Sequence, residues 1–166
     1  GWTIMGAIPQ RSSSFGELPL SWANGEYSWQ GYLSPEQYPK ILNPEHQRLW
    51  TANSRVVGGE MYNVIGNGGY ALGARSSQIK QRLFARPHFN EQQLFAIALD
   101  DKALFLERWR DFILTSILNK VDISSNPKLL EVKNILASEK VLAASINSVA
   151  YRIVRNFRLQ LRDNIF

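Results

Sequence analysis

A helix-dominant α+β chain is predicted on three observations. The first 71 residues carry short β-branched and aromatic runs punctuated by Pro and Gly. From residue 72 onward apolar residues recur at helical spacing. The 166 residues are 45% hydrophobic, enough for a real core in one ordinary domain or in a piece of a larger one. The chain thus divides into a strand and aromatic-rich connector over 1–71 and a helical stretch over 72–166.

Residues 2–9, WTIMGAIP, end β-branched and aromatic residues on a proline and predict a strand, followed by a loop over RSSSFG at 11–16. The opening Gly1-Trp2-Thr3-Ile4-Met5 reads as the second half of a hairpin, and the chain as a processed or excised fragment. Between Pro19 and Tyr38 stand Trp22, Tyr27, Trp29, Tyr32 and Tyr38. These rings could stack sugars or bases or line an acyl pocket. They lack the flanking Lys/Arg that nucleic acid needs, so the favoured reading is that they pin an irregular segment onto a neighbouring layer. Residues 54–71 read as a loop, and the GNGG run at 66–69 as a turn without the Lys and Ser/Thr of a phosphate loop.

Helical period then takes over. Leu72, Ile79 and Leu83 share a face, and Arg86-Pro87 stops the helix. Asn90 with Gln93 is a capping box for a helix whose core face is Leu94, Ile97 and Ala98. Residues 102–119 continue as helix, with Leu104, Leu106, Trp109, Phe112, Ile113 and Ile117 apolar. Ser124-Ser125-Asn126-Pro127 is a break, followed by helices over 128–137 and about 140–162. The last puts Ile146, Ala150, Ile153, Phe157 and Leu161 on one stripe, with Arg155, Arg158 and Arg162 opposite.

Zero cysteines excludes disulfides, thiolate metal sites and cysteine nucleophiles, and no run approaches a membrane span. The net charge of +5 is uneven: residues 120–166 hold eight Lys/Arg against four Asp/Glu, residues 1–119 eleven against ten. The surplus sits in the last helical stretch, where it reads as a solvated face or as partners for acidic residues elsewhere. His46 and His88 have no second ligand at metal spacing, and Ser12, Ser13 and Ser14 have no histidine in a recognisable arrangement. Asp100-Asp101 beside Lys102 reads as a helix junction. No complete catalytic machine is present. In Trp50-Thr51-Ala52-Asn53-Ser54-Arg55 a short apolar pair opens into a polar loop. There Asn53 either caps a turn or presents its amide N–H to something small and anionic.

Five segments in register resemble the penicillin acylase (penicillin amidase) family of N-terminal nucleophile hydrolases. They are GWTIMGAIPQR at 1–11, LPLSWANGEYSWQGYLSPEQYPKILNP at 18–44, TANSR at 51–55, GYALGAR at 69–75 and the helix bearing QIKQRLFARPHFNEQQL at 78–94, with the asparagine–proline pair at 43–44 closing the second. From about residue 120 only a helical pattern matches, and Leu136-Ala137-Ser138-Glu139-Lys140 stands where the family has Trp-Asp-Gly.

The resemblance implies an αββα sandwich for the parent and an amide hydrolase of periplasmic or extracellular location. The first residue of its mature β chain is a serine exposed by self-cleavage, with its own α-amine as base. By register Asn53 is the oxyanion-hole asparagine and Arg75 the arginine that orients it and the serine's amine. The serine lies upstream of Gly1, so this chain alone is expected to be inert. Its implied partners are the remainder of the β chain, the α chain and a small N-acyl substrate, with no nucleic acid and no membrane. Some members bind calcium; here Val64 replaces the contributing aspartate, with Asn63 beside it, so no cofactor is expected. The acyl group stays open among penicillins, N-acyl homoserine lactones, glutaryl cephalosporins and lipopeptides. The alternative class is a non-catalytic helical binding module using the arginine face of 152–162.

Overall fold

The computed structural model describes residues 1–12 and 19–165, so most of the expected 11–16 loop, including Ser13 and Ser14, lies outside the described residues. Contacts divide the chain into two units, Gly1–His88 and Phe89–Phe166. Helices dominate, beside two small sheets. Among the described residues no helix is long and apolar enough to cross a membrane.

In the first unit the expected 2–9 strand is two pieces, β1 (Trp2–Thr3) and β2 (Pro9–Arg11), separated by Gly6 at φ 96°. The left-handed backbone at Gly6 breaks the extended run, which glycine alone tolerates without strain. Strand β1 pairs antiparallel with β4 (Lys40–Ile41), and β2 with β3 (Trp29–Tyr32) through an irregular register. Trp22 and Trp29 meet edge to face at 6.2 Å. Trp29 and Tyr32 remain 60% and 64% exposed, whereas Tyr27 and Tyr38 of the same cluster are half-buried. The expected loop over 54–71 contains a helix, α1 (Gly59–Ile65). Seven residues behind two glycines are too few to show a helical period. The turn at 66–69 is as expected: Asn67 Oδ1 accepts from Gly69 N at 3.1 Å. Helix α2 (Ala74–Phe84) ends before Arg86-Pro87, but Leu72 precedes it and is exposed, and none of the helix's residues is fully buried.

In the second unit α3 (Glu91–Ala98) has the capping box intact. Asn90 Oδ1 accepts from Gln93 N at 2.9 Å, and Gln93 Oε1 from Asn90 N at 3.2 Å. None of its residues is buried, so the expected Leu94, Ile97 and Ala98 core face is not one in this chain. Helix α4 (Leu104–Phe112) runs into a π-helical segment, Ile113–Leu118. The wider turn brings Ile113 and Leu118, five apart, onto the core face with Leu106. Asn126 caps α5 (Pro127–Ser138), accepting from Leu129 N at 3.2 Å with Pro127 at the first helical position. Helix α6 (Val149–Ile165) packs on α4 and α5. It begins nine residues later than the periodicity suggests. Residues 141–144 instead pair with the α3–α4 junction: Ala103 N donates to Leu142 O and Ala144 N to Asp101 O, both at 2.8 Å. Leu142 is thereby fully buried beside Leu136, Ala150 and Val154, while Ile146 is 86% exposed and leaves the expected stripe. On the supposed far side of α6, Arg158 lies over the Phe105 ring at 5.2 Å and Arg162 pairs with Asp163.

Glu139, just past α5, caps α6. Its carboxylate accepts from Ser148 Oγ at 2.5 Å and from Ala150 N at 3.1 Å, and Ser148 Oγ accepts from Tyr151 N. The Ser148 hydroxyl foremost, then the backbone N–H groups and Arg152, hold the carboxyl below the ordinary glutamate value against the opposing effect of burial. A lowered folded value means stability that is complete above the ordinary glutamate range and lost as pH falls through the folded value. Amide exchange at Ala150 and Tyr151 is therefore expected to lose protection as pH falls below that range, and Glu139→Gln to flatten this dependence. Unaltered pH dependence in the variant would remove Glu139 from the cap.

Candidate active site

Asn53 sits at φ 57°, in the left-handed region where Asn is among the few enriched side chains. The flanking Ser54 and Val57 are buried and anchor the loop, while the Asn53 side chain is exposed. Its backbone is fixed from the glycine-rich segment, Ala71 N donating to Asn53 O at 2.9 Å. The side chain is fixed from α2: Arg75 Nη2 donates to Asn53 Oδ1 at 2.7 Å and to Ala52 O at 3.1 Å. The structure thus brings residues 53 and 75 together across twenty-two positions of sequence.

Two physical points orient this pair. A guanidinium has donors only, so the carboxamide must face it with its oxygen, and the NH₂ of Asn53 points away. Among the described residues nothing accepts a hydrogen bond from that NH₂. A cation in a helix's first turn also opposes the helix dipole. Arg75, second residue of α2, therefore gains nothing from its own helix there, and its contacts are with the loop.

The opposite end of α2 is held to the same loop. Arg48 Nη2 donates to Arg86 O at 2.9 Å and to Pro87 O at 2.6 Å. Between the two ends, Phe84 receives Trp50 edge-on at 5.6 Å and His46 at 5.3 Å, while the Lys80 ammonium lies 5.1 Å from the Trp50 ring centre. His46 is thus a packing residue. Arg48 is absent from the sequence-level candidates because its partners are backbone carbonyls 38 and 39 residues away, and no side-chain motif marks a carbonyl.

Asn63 and Val64, the positions matching the family's calcium contribution, lie on α1 beside a cleft shared with Glu60 and Arg11. Calcium takes six to eight oxygen ligands. Here the side chains offer a carboxamide and one carboxylate beside a guanidinium, fewer oxygens than that. Among the described residues no three His, Asp or Glu cluster as metal ligands.

The Asn53 carboxamide, braced on its oxygen side by Arg75, is a hydrogen-bond donor held in a fixed direction. The chain belongs to the penicillin amidase family, whose model matches residues 1–166. It is similar to acyl-homoserine lactone acylase QuiP of Pseudomonas aeruginosa, 30% identical over 108 residues, 65% of this chain and 13% of that protein. It is also similar to penicillin acylase 2 proenzyme of Pseudomonas sp. (strain SE83), 29% identical over 100 residues, 60% of this chain and 13% of that one. The matched part therefore spans about an eighth of these curated relatives. No solved structure matches the chain.

Proposed function

We propose that this chain is part of an acylase that hydrolyses the amide bond of N-acyl compounds, and that Asn53 donates to the oxyanion. The nucleophile is an N-terminal serine supplied by another part of the polypeptide. Its Oγ attacks the amide carbon, its α-amine takes the proton, and collapse of the tetrahedral intermediate returns that proton to the leaving amine. Water then releases the acyl group. While the intermediate lasts, the Asn53 NH₂ shares its negative charge with a backbone N–H outside this chain. Arg75 keeps the amide facing the right way, and its fixed charge near the serine's amine disfavours protonation there, leaving the amine usable as a base.

The single observation that carries this reading is the 2.7 Å bond from Arg75 to the Asn53 oxygen, which turns the donor side of the carboxamide outward. The exposed Trp22, Trp29 and Tyr32 fit a piece seated against the rest of a larger αββα sandwich, formed from the remainder of the β chain and the α chain of one precursor. A periplasmic or extracellular location and a small N-acyl substrate, with no nucleic acid, membrane or bound cofactor, complete the proposal. The test is turnover of a panel of N-acyl compounds by the full-length protein and its Asn53→Ala variant. Equal turnover by the two would remove Asn53 from the mechanism.

A further inference from the structure

We infer that Arg48 is a positioning residue for the oxyanion donor: it ties the far end of α2 to the segment carrying Asn53, so that Arg75 at the near end stays against the carboxamide oxygen. The inference rests on the acylase reading above. Loop and helix are joined by an arginine bond at each end: Arg75, second residue of α2, reaches the loop at 52–53, and Arg48 reaches the backbone just past the helix cap at Ala85. Arg48 grips Arg86 O and Pro87 O, Arg75 grips Ala52 O and Asn53 Oδ1, and Trp50 on Phe84 fills the span between.

The two arginines differ in what the helix does for them. Arg48 brings its cation just past the C-terminal end of α2, beyond its cap at Ala85, on the side where the dipole favours it. Arg75 stands at the end where the dipole disfavours a cation. The favourable contact can therefore hold the helix in the register that the unfavourable one requires. Without it, α2 can slide or tilt, and a shift of about 1 Å is enough to cost catalysis about a hundredfold.

The experiment uses the full-length processed protein. Hydrolysis of phenylacetyl, glutaryl and octanoyl 4-nitroanilides is measured per active site, counted by stoichiometric inactivation with phenylmethylsulfonyl fluoride. Arg48→Ala is expected to lower kcat about ten- to a hundredfold, with KM changed by less than about twofold. Asn53→Ala combined with Arg48→Ala is expected to lose no more than Asn53→Ala alone, because the second substitution acts through the group the first removes. Arg48→Lys, which keeps the cation but not the fork across two carbonyls, should fall between, and it carries the test if Arg48→Ala yields no processed enzyme. Unchanged kcat per site, with only fewer active sites, overturns the positioning role, as does a double variant whose losses multiply. If Asn53→Ala itself is without effect, or the unsubstituted protein turns over none of the three anilides, the acylase reading falls and this inference with it.

Discussion

Asn53→Ala in the full-length protein is expected to lower kcat by about 10²–10³-fold, equivalent to about 2.7–4 kcal/mol of lost oxyanion stabilisation, with KM little changed. One complication is the backbone: at φ 57° alanine carries a cost of about 1–2 kcal/mol that asparagine largely avoids. Asn53→Asp separates the two effects. Aspartate tolerates the left-handed region, matches asparagine in size and keeps an acceptor facing Arg75. It differs in replacing the outward donor with an acceptor and in bringing a negative charge to the developing oxyanion. Its loss is therefore expected to equal or exceed that of the alanine variant, with the fold retained by circular dichroism. An aspartate variant with near-normal kcat would show that position 53 supplies no hydrogen bond to the transition state.

The contact at the centre of this argument is only half legible from residues 50–55. Asn in a polar loop between Trp50 and a glycine-rich run reads as a turn cap or an amide donor, and its φ of 57° is one that Asn tolerates. Its partner twenty-two residues away carries no local signal, because α2 presents Arg75, Lys80 and Arg82 alike. Family register selects Arg75 among them. The Arg48 clamp is invisible by either route, since hydrogen bonds to carbonyls depend on where the backbone passes and not on which residues it carries.

In the helical half, signals that are satisfied within a few residues survive folding. The Asn90–Gln93 box appears where expected, and the expected break at 124–127 opens α5 through the local Asn126 cap, because both partners are local in each. Boundaries that depend on distant backbone do not. The apolar spacing through 140–150 fits a helix, yet pairing of Lys102 with Ala143 takes those residues out of it. The π-helical turn over Ile113–Leu118 likewise shifts the buried set away from the 3.6-residue period, burying Leu118 five residues after Ile113.

The sharpest test of that departure is a pair of truncations four residues apart. If 140–162 were one helix, Ile146 would sit on the core stripe and its loss would be felt. In the structure Ile146 is 86% exposed and Leu142 fully buried against Leu136, Ala150 and Val154. Leu142→Ala is expected to cost about 2–5 kcal/mol, the transfer of three carbons plus the cavity they leave. Ile146→Ala should stay within about 0.5 kcal/mol. Native-state hydrogen exchange of the α4, α5 and α6 amides in the full-length protein reads this locally, without requiring a large protein to unfold in one step. The alanine at 142 should raise exchange across all three helices together, because its side chain lies where their apolar faces converge. Equal effects from the two substitutions, or the larger one at 146, would return residues 140–148 to the helix.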